Sequence, residues 1–312
     1  MELEPEVRCG YLISANMKKV WSIQLQLLSK LLQVCKDHGL QIWADGGTLL
    51  GAIRHKGYIP WDDDIDMLMF REDYDKLVSI AQESFLPPFF FQTAYSESVP
   101  YPRGHAQLRM DGTAAILPYD ITQDFHQGIF IDIFPYDVVP EDPAEQRELI
   151  TVSQRKLEML SMYTYGHVSF LRPSSFRDLH SIRRIINSHG FKHYFNEFEN
   201  LFRKYKITDH ESIASLSFNP DLNRTQKLKI WYEKELLLPF EDLLIPVPIG
   251  YDQILTKQYG DYMTPTKSPS MHGGFTILDA NRSYKEYLPD LRKQRRRELW
   301  KERVNRLFKG SR

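Results

Sequence analysis

Cysteine is nearly absent from this chain. Cys9 and Cys35 stand alone among 312 residues, too few for a disulfide framework and without the spacing of a metal-binding pair. That usage is expected of a protein in a reducing cytosol. No run of about 20 apolar residues occurs, so no spanning helix is expected. The opening residues, Met1-Glu2-Leu3-Glu4-Pro5-Glu6, are acidic and lack a signal peptide's basic and apolar regions. Net charge is small too: 40 Lys and Arg stand against 41 Asp and Glu, a formal −1. That balance argues against a general nucleic-acid binder. What remains is 42% hydrophobic and 13% aromatic. This is enough for a substantial core, in one large domain or one domain with a helical extension.

Against this even background one stretch stands out. Asp45-Gly46-Gly47-Thr48-Leu49-Leu50-Gly51-Ala52-Ile53-Arg54 is followed by Pro60-Trp61-Asp62-Asp63-Asp64-Ile65-Asp66. Carboxylates packed this closely repel one another, and a Trp- and Ile-flanked cluster calls for a cation. An all-oxygen ligand set suits a hard ion, Mg²⁺ or Mn²⁺. Glycines with free N–H groups ahead of a helix suit a phosphate. Metal and phosphate together point to phosphoryl or nucleotidyl transfer. The plainer alternative is an acidic surface turn before an ordinary helix.

Ile65, Met67 and Met69 alternate with Asp64, Asp66 and Leu68, which predicts a strand over 64–70. Asp64 and Asp66 then share a face, about 7 Å apart. Asp62 joins them if the strand extends back, and Asp63 points away. Thr48 to Arg54 opens a short helix with Gly46 and Gly47 at its N-terminus.

Elsewhere, 16–38 reads as an amphipathic helix ended by His38-Gly39. Residues 40–44 read as a strand, 72–83 as a helix and Phe89-Phe90-Phe91-Gln92 as a buried strand. Leu108 to Ile116 reads as a hairpin turning at Asp111-Gly112. Gly128-Ile129-Phe130-Ile131-Asp132-Ile133-Phe134-Pro135 reads as a strand closed by Pro135. Residues 141–240 have a helical pattern, broken at Pro173, Gly190 and Asn219-Pro220. Residues 239–279 read as ordered loop around a helix at 250–259, and 291–312 as a basic helix. The fold class is α/β (α+β), a mixed sheet with flanking helices and a largely helical second half. The expected division is a catalytic core over 1–140, a mainly helical region over 141–238, a loop-rich segment completing the site over 239–290, and the basic helix.

Asp132 lies among apolar neighbours and needs a partner: a metal, a substrate hydroxyl that it deprotonates, or an Arg. Asp137, past the proline, reads as a turn residue. Arg54, His55, Lys56, Arg71 and Arg109 are candidates to neutralise a polyphosphate, and at least one of His55 and Lys56 is expected to face the site. His272, before Gly273-Gly274, joins them if its loop folds back. Trp43, Trp61 and Phe89–Phe91 read as core, with base stacking the alternative for Trp61.

The run from Trp43 to Asp66 resembles the LicD family. So do Arg71-Glu72-Asp73-Tyr74, Gly128 to Pro135, and Tyr259-Gly260-Asp261-Tyr262-Met263 with the Pro-rich tail and His272. The resemblance implies a nucleotidyltransferase-like fold with the glycine turn and aspartates at one end of a small mixed sheet. It implies transfer of phosphocholine, or a similar phospho-substituent, from CDP-choline or another CDP-alcohol donor to a cell-surface glycan precursor of teichoic acid or lipopolysaccharide. Fukutin-type relatives use CDP-ribitol. Gly46, Gly47 and Thr48 are implied in phosphate contact, Asp64 and Asp66 in metal binding, and Asp132 in the third carboxylate position. The family pattern carries a Lys where this chain has Gln107. The alternatives are nucleotidyl transfer to a sugar or small molecule, and an inactive scaffold of the same fold. A lipid-linked acceptor implies peripheral contact with the inner face of a membrane, for which the basic 291–312 segment is a candidate anchor.

Overall fold

The structure is a computed structural model that describes residues 2–166, 176–219, 221–266 and 274–309. In chain order the first elements are β1 (Glu6–Arg8), β2 (Tyr11–Ile13), α1 (Ala15–Asp37), β3 (Trp43–Ala44), α2 (Gly46–Arg54), β4 (Asp66–Phe70), α3 (Arg71–Ser84) and β5 (Phe89–Gln92). Then come β6 (Ala106–Met110), β7 (Ala114–Ile116), β8 (Phe130–Val138), α4 (Pro143–Tyr165), α5 (Phe176–His189), α6 (Phe191–Arg203) and β9 (Ser212–Ala214). The last are α7 (Leu222–Thr225), β10 (Lys227–Leu228), β11 (Glu235–Phe240), β12 (Leu243–Pro248), α8 (Tyr251–Tyr259), β13 (Ile277–Asp279) and α9 (Tyr284–Lys309).

The expected mixed sheet is present and is organised by β8, whose residues are all buried. On one edge β8 pairs in parallel with β4, and β4 pairs antiparallel with β3. The other edge is shared. β6 covers 130–133 and β9 covers 137–138, with β5 beyond β6 and β10 beyond β9. This arrangement corrects the expectation that Pro135 ends the strand. The Asp132 amide donates toward β4, to the Ile65 carbonyl at 2.8 Å. Alternation then aims the position of Pro135's missing N–H at the other edge, between β6 and β9, where the ladder asks for no donor.

Other expectations also change. β6 and β7 form no hairpin, because β7 pairs with β13. The helical pattern holds only to Arg203; beyond it β9 and β10 join the sheet, and β11 and β12 form a hairpin of their own. These strands are only two to six residues long, so each offers too few repeats for its period to be read.

α1 begins at Ser14, whose hydroxyl accepts from the Met17 amide at 3.2 Å, a standard N-cap. Its buried stripe of Val20, Trp21, Leu27, Leu28, Leu31 and Val34 packs beside β6 and β8. Trp21 stacks on Tyr58 with ring centroids 4.3 Å apart. Each such buried side chain stabilises the fold by about 1.5–3 kcal/mol. α4, α5 and α6 build a second cluster against Ala94, Val139, Ala214 and Leu216. Gly190, at φ +88°, lets the chain turn from α5 into α6. Among the described residues no helix is long and apolar enough to cross a membrane.

Candidate active site

The aspartate loop is held from below by α1. Trp21 Nε1 donates to the Asp62 carbonyl at 3.1 Å. Gln24 Nε2 donates to the Asp63 carbonyl at 2.8 Å and to the Phe130 carbonyl at 3.3 Å, while its Oε1 accepts from the Tyr58 hydroxyl at 3.1 Å. With their carbonyls taken by side chains, Asp62 and Asp63 do not enter a ladder, and β4 begins at Asp66. The strand period therefore does not govern 62–65, and Asp63 does not point away. One carboxylate oxygen from each of Asp62, Asp63 and Asp64 lies within 4.8 Å of the others.

Asp66 and Asp132 are direct partners across β4 and β8. The Asp66 amide donates to Thr48 Oγ1 at 2.9 Å, and the Asp45 amide donates to the Asp66 carbonyl at 3.0 Å. These bonds fasten the start of β4 to the first turn of α2. The two glycines make room for carboxylates. A Cβ on Gly47 would stand 2.5 Å from Asp62 Oδ2, and one on Gly46 would stand 3.1 Å from Asp66 Oδ2. Asp62 and Asp66 thus lie against the N-terminus of α2, where the helix dipole and free N–H groups favour negative charge.

The carboxylates disturb one another. Burial, then Asp64 and Asp63, push the Asp62 carboxyl up to about 8. Burial, then Asp64, Asp132, Asp45 and Asp62, raise Asp66 well above the usual carboxylate range. An all-oxygen cluster this crowded is the donor set a hard divalent cation takes. The residues present fit Mg²⁺ or Mn²⁺.

Asp132 is held from the β6 side. Its Oδ1 accepts from Gln107 Nε2 at 2.6 Å and lies 3.1 Å from His105 Nε2. The Gln107 orientation is enforced, because its Oε1 accepts from the Tyr101 hydroxyl at 2.7 Å, from Arg103 Nη1 at 3.4 Å and from Arg109 Nη2. Gln107 thus serves Asp132.

The basic candidates separate. Arg109 is buried, donating to Gln107, to Gln92 and to the Gly128 carbonyl at 2.6 Å. Arg71 stands one residue past the far end of β4, whose four strand rises already put Phe70 about 13 Å from Asp66. It pairs with Asp137 at 2.6 and 3.1 Å and with Glu199 at 3.3 Å. Asp137 is accordingly a buried strand residue rather than a turn residue. Arg54, at the end of α2, donates to the Tyr262 carbonyl at 2.6 Å. His55 is half-buried beside Arg54 and its titration is lowered, first by burial and then by Arg54 and Arg8. Lys56 is exposed at φ +56°. Trp61 packs against the core and Tyr11. His272 lies outside the described residues.

Three contributors escaped the sequence reading. Lys227 is buried and pairs with Asp45, which also accepts from the Tyr136 hydroxyl at 2.8 Å. Burial lowers the Lys227 pKa even so. His105 supports Asp132. The Tyr259 hydroxyl is raised by burial and then by the charges of Asp45, Asp66, Asp62 and Asp64, while 42% of the residue stays exposed. Tyr259 alone carried a signal, lying within the resemblance. Lys227 and His105 sit in unremarkable sequence.

Residues 39–179 match the family described as LicD/FKTN/FKRP, nucleotidyltransferase domain. The chain is 29% identical over 241 residues, 77% of its length, to the lipopolysaccharide cholinephosphotransferase LicD of Haemophilus influenzae, covering 88% of that protein. It is 51% identical over 40 residues to the human ribitol 5-phosphate transferase FKRP, 13% of this chain and 8% of FKRP. It is 42% identical over 64 residues to the mouse ribitol-5-phosphate transferase FKTN, 20% of this chain and 13% of FKTN. The resemblance to the LicD family is borne out.

Proposed function

We propose, from the LicD-family character of this chain, that it is a phosphotransferase moving a phospho-substituent from a CDP-alcohol donor to a hydroxyl of a glycan. The observation that carries this reading is the clustered aspartate loop set, with Asp66, against the N-terminus of α2, and Asp132 beside Asp66 on the next strand. Phosphocholine is the substituent favoured by the long match to the Haemophilus influenzae transferase, and ribitol phosphate is the one suggested by the shorter matches.

Asp64 and Asp66, with Asp62 and Asp132 beside them, would hold Mg²⁺ or Mn²⁺. When bound, the ion supplies charge neutralisation of the donor's diphosphate. The N–H groups of α2 then hold one phosphate at the positive end of the helix. Asp132 accepts the proton of the acceptor hydroxyl, positioned for it by Gln107 and His105. The hydroxyl oxygen bonds to phosphorus as the bond to CMP breaks, and CMP leaves in line. The acceptor is a surface-glycan precursor of the lipopolysaccharide or teichoic-acid kind, carried on lipid at the cytoplasmic face of a membrane.

A panel of CDP-alcohols, offered with Mg²⁺ or Mn²⁺ and surface-polymer extracts, tests this. CDP-choline, or another CDP-alcohol, should yield CMP and a labelled polymer. Release of diphosphate with retention of the nucleotide on the product would instead make the protein a nucleotidyltransferase.

A further inference from the structure

We infer that Phe218, with Phe134 and His105, forms the stacking platform for the ring of the acceptor sugar. The inference rests on the transfer reading above and adds to it the place where the acceptor lies.

Phe134 follows Asp132 by two residues on β8 and therefore shares its face. His105 lies 3.1 Å from the Asp132 carboxylate through Nε2 and packs its ring against Phe134 at 4.7 Å and Phe218 at 4.9 Å. Phe134 and Phe218 are themselves 4.9 Å apart. Within this cluster His105 is 5% exposed and Phe134 8%, but Phe218 is 47% exposed.

Phe218 is held in that position. The turn after β9 is closed by hydrogen bonds from the Phe218 and Asn219 amides to the Ser215 carbonyl, at 3.3 and 2.8 Å. Ser217 is buried beneath it, against Gly104, where an added Cβ would stand 2.0 Å from the Ser217 carbonyl oxygen. Only a glycine lets the two loops close this far. The closure sets an aromatic face toward solvent beside His105, and the described neighbours leave it half uncovered.

Topology assigns the occupant. Asp132 stands between two edges of β8. On the β4 edge are Asp66 and the glycine turn, the side suited to the donor's phosphates. On the β6 edge are His105 and Phe218. A hydroxyl that gives its proton to Asp132 while facing phosphates on the β4 side must come from the β6 side. The ring bearing that hydroxyl then lies over Phe218. A pyranose presents a face of C–H bonds that suits such a ring, while its hydroxyls turn toward His105 and Asp132, both buried beside it. A cytosine ring is the competing occupant.

The test separates the two. Saturation-transfer NMR with methyl glycosides of hexoses and N-acetylhexosamines should show binding to the intact protein. Phe218→Ala should lose it, and Phe218→Tyr and Phe218→Trp should keep it. In the transfer assay, Phe218→Ala should raise the acceptor KM about tenfold, with the donor KM shifted by less than about twofold. Equal glycoside binding by the intact protein and Phe218→Ala overturns the inference. So does loss of cytidine binding, or a rise confined to the donor KM, since either makes the platform a base site. If no CDP-alcohol is turned over, the transfer reading fails, and the glycoside binding still decides the platform. A cooperative melt of Phe218→Ala at the parental temperature checks that its fold is kept.

Discussion

Asp66 and Asp132 face each other as register partners on adjacent parallel strands, two acids at one end of the sheet with Asp64 and Asp62 pressing on the first of them. Such a pair is unfavourable in the bare protein, and a cation bound at the proposed site would relieve it. Asp66→Asn and Asp132→Asn should each lower transfer by about 100-fold or more, while raising the thermal midpoint of the metal-free protein. Scanning fluorimetry in chelator, alongside the CMP-release assay, reads both effects. Near-normal turnover by either variant would remove that residue from the site.

The same repulsion sets a pH dependence. In the unfolded chain Asp62 titrates near its ordinary value of 3.8, and in the fold at about 8. Between these values the native state binds the extra proton, so stability falls as pH rises from about 4 to about 8. Asp66 adds in the same direction. The metal-free melting temperature should therefore drop from pH 5 to pH 8, and Asp62→Asn should flatten the slope. Added Mg²⁺ or Mn²⁺ should stabilise more at pH 8 than at pH 5, because the ion takes the ionised carboxylates. A melting temperature flat across this range would contradict the crowding.

Gln107 connects a buried cationic network to Asp132. Gln107→Leu strips an acceptor from Arg109 and Tyr101 and a donor from Asp132. With each of these three buried orphans costing about 1–3 kcal/mol, the loss should be at least about 3 kcal/mol in urea unfolding. Metal affinity should fall about 10–100-fold, as for other groups that orient a ligand. Unchanged metal titration in a folded Gln107→Leu would show that Asp132 needs no such support.

Arg71 resembles a phosphate ligand in sequence and is a structural ion-pair partner in the fold. Arg71→Ala leaves Asp137 buried without its cation and Glu199 with Arg203 alone and should destabilise by about 3–5 kcal/mol. Among molecules that remain folded, donor KM should stay near the parental value. A stable variant with a strongly raised donor KM would return Arg71 to the active site.

The C-terminal helix carries the membrane prediction. Tyr284 and Leu288 are buried against Ala114 and Ile116, and Arg292 donates to the Ile121 carbonyl at 2.9 Å. Beyond that anchor Arg295, Arg296, Arg297 and Lys301 are exposed, with Leu299 at 47% and Trp300 at 67%. Basic residues near an anionic surface contribute about 1 kcal/mol each. Truncation after Gln294 should therefore reduce cosedimentation with phosphatidylglycerol vesicles, and salt should do the same to the intact protein. Equal sedimentation of both forms counts against the anchor.

The sequence by itself determined the elements whose periodicity is long and one-sided. α1 follows from a buried face that repeats near 3.6 residues, α2 from the glycine turn that opens it, and the strand character of β4, β5 and β8 from short apolar runs. It also pointed to a chemistry: acids and glycines at this spacing suit a cation and a phosphate. The tertiary structure decided which charges are available. Arg71 and Arg109 read like Arg54 in sequence, yet one pairs with Asp137 and the other with Gln92 and Gln107, contacts set by chain crossings that no local pattern encodes. The same holds for Lys227, brought to Asp45 from 182 residues away, and for Asp63, whose carbonyl is claimed by Gln24 of a helix earlier in the chain. Hydrogen bonds and ion pairs depend on which side chain arrives within about 3 Å, and only the folded chain fixes that.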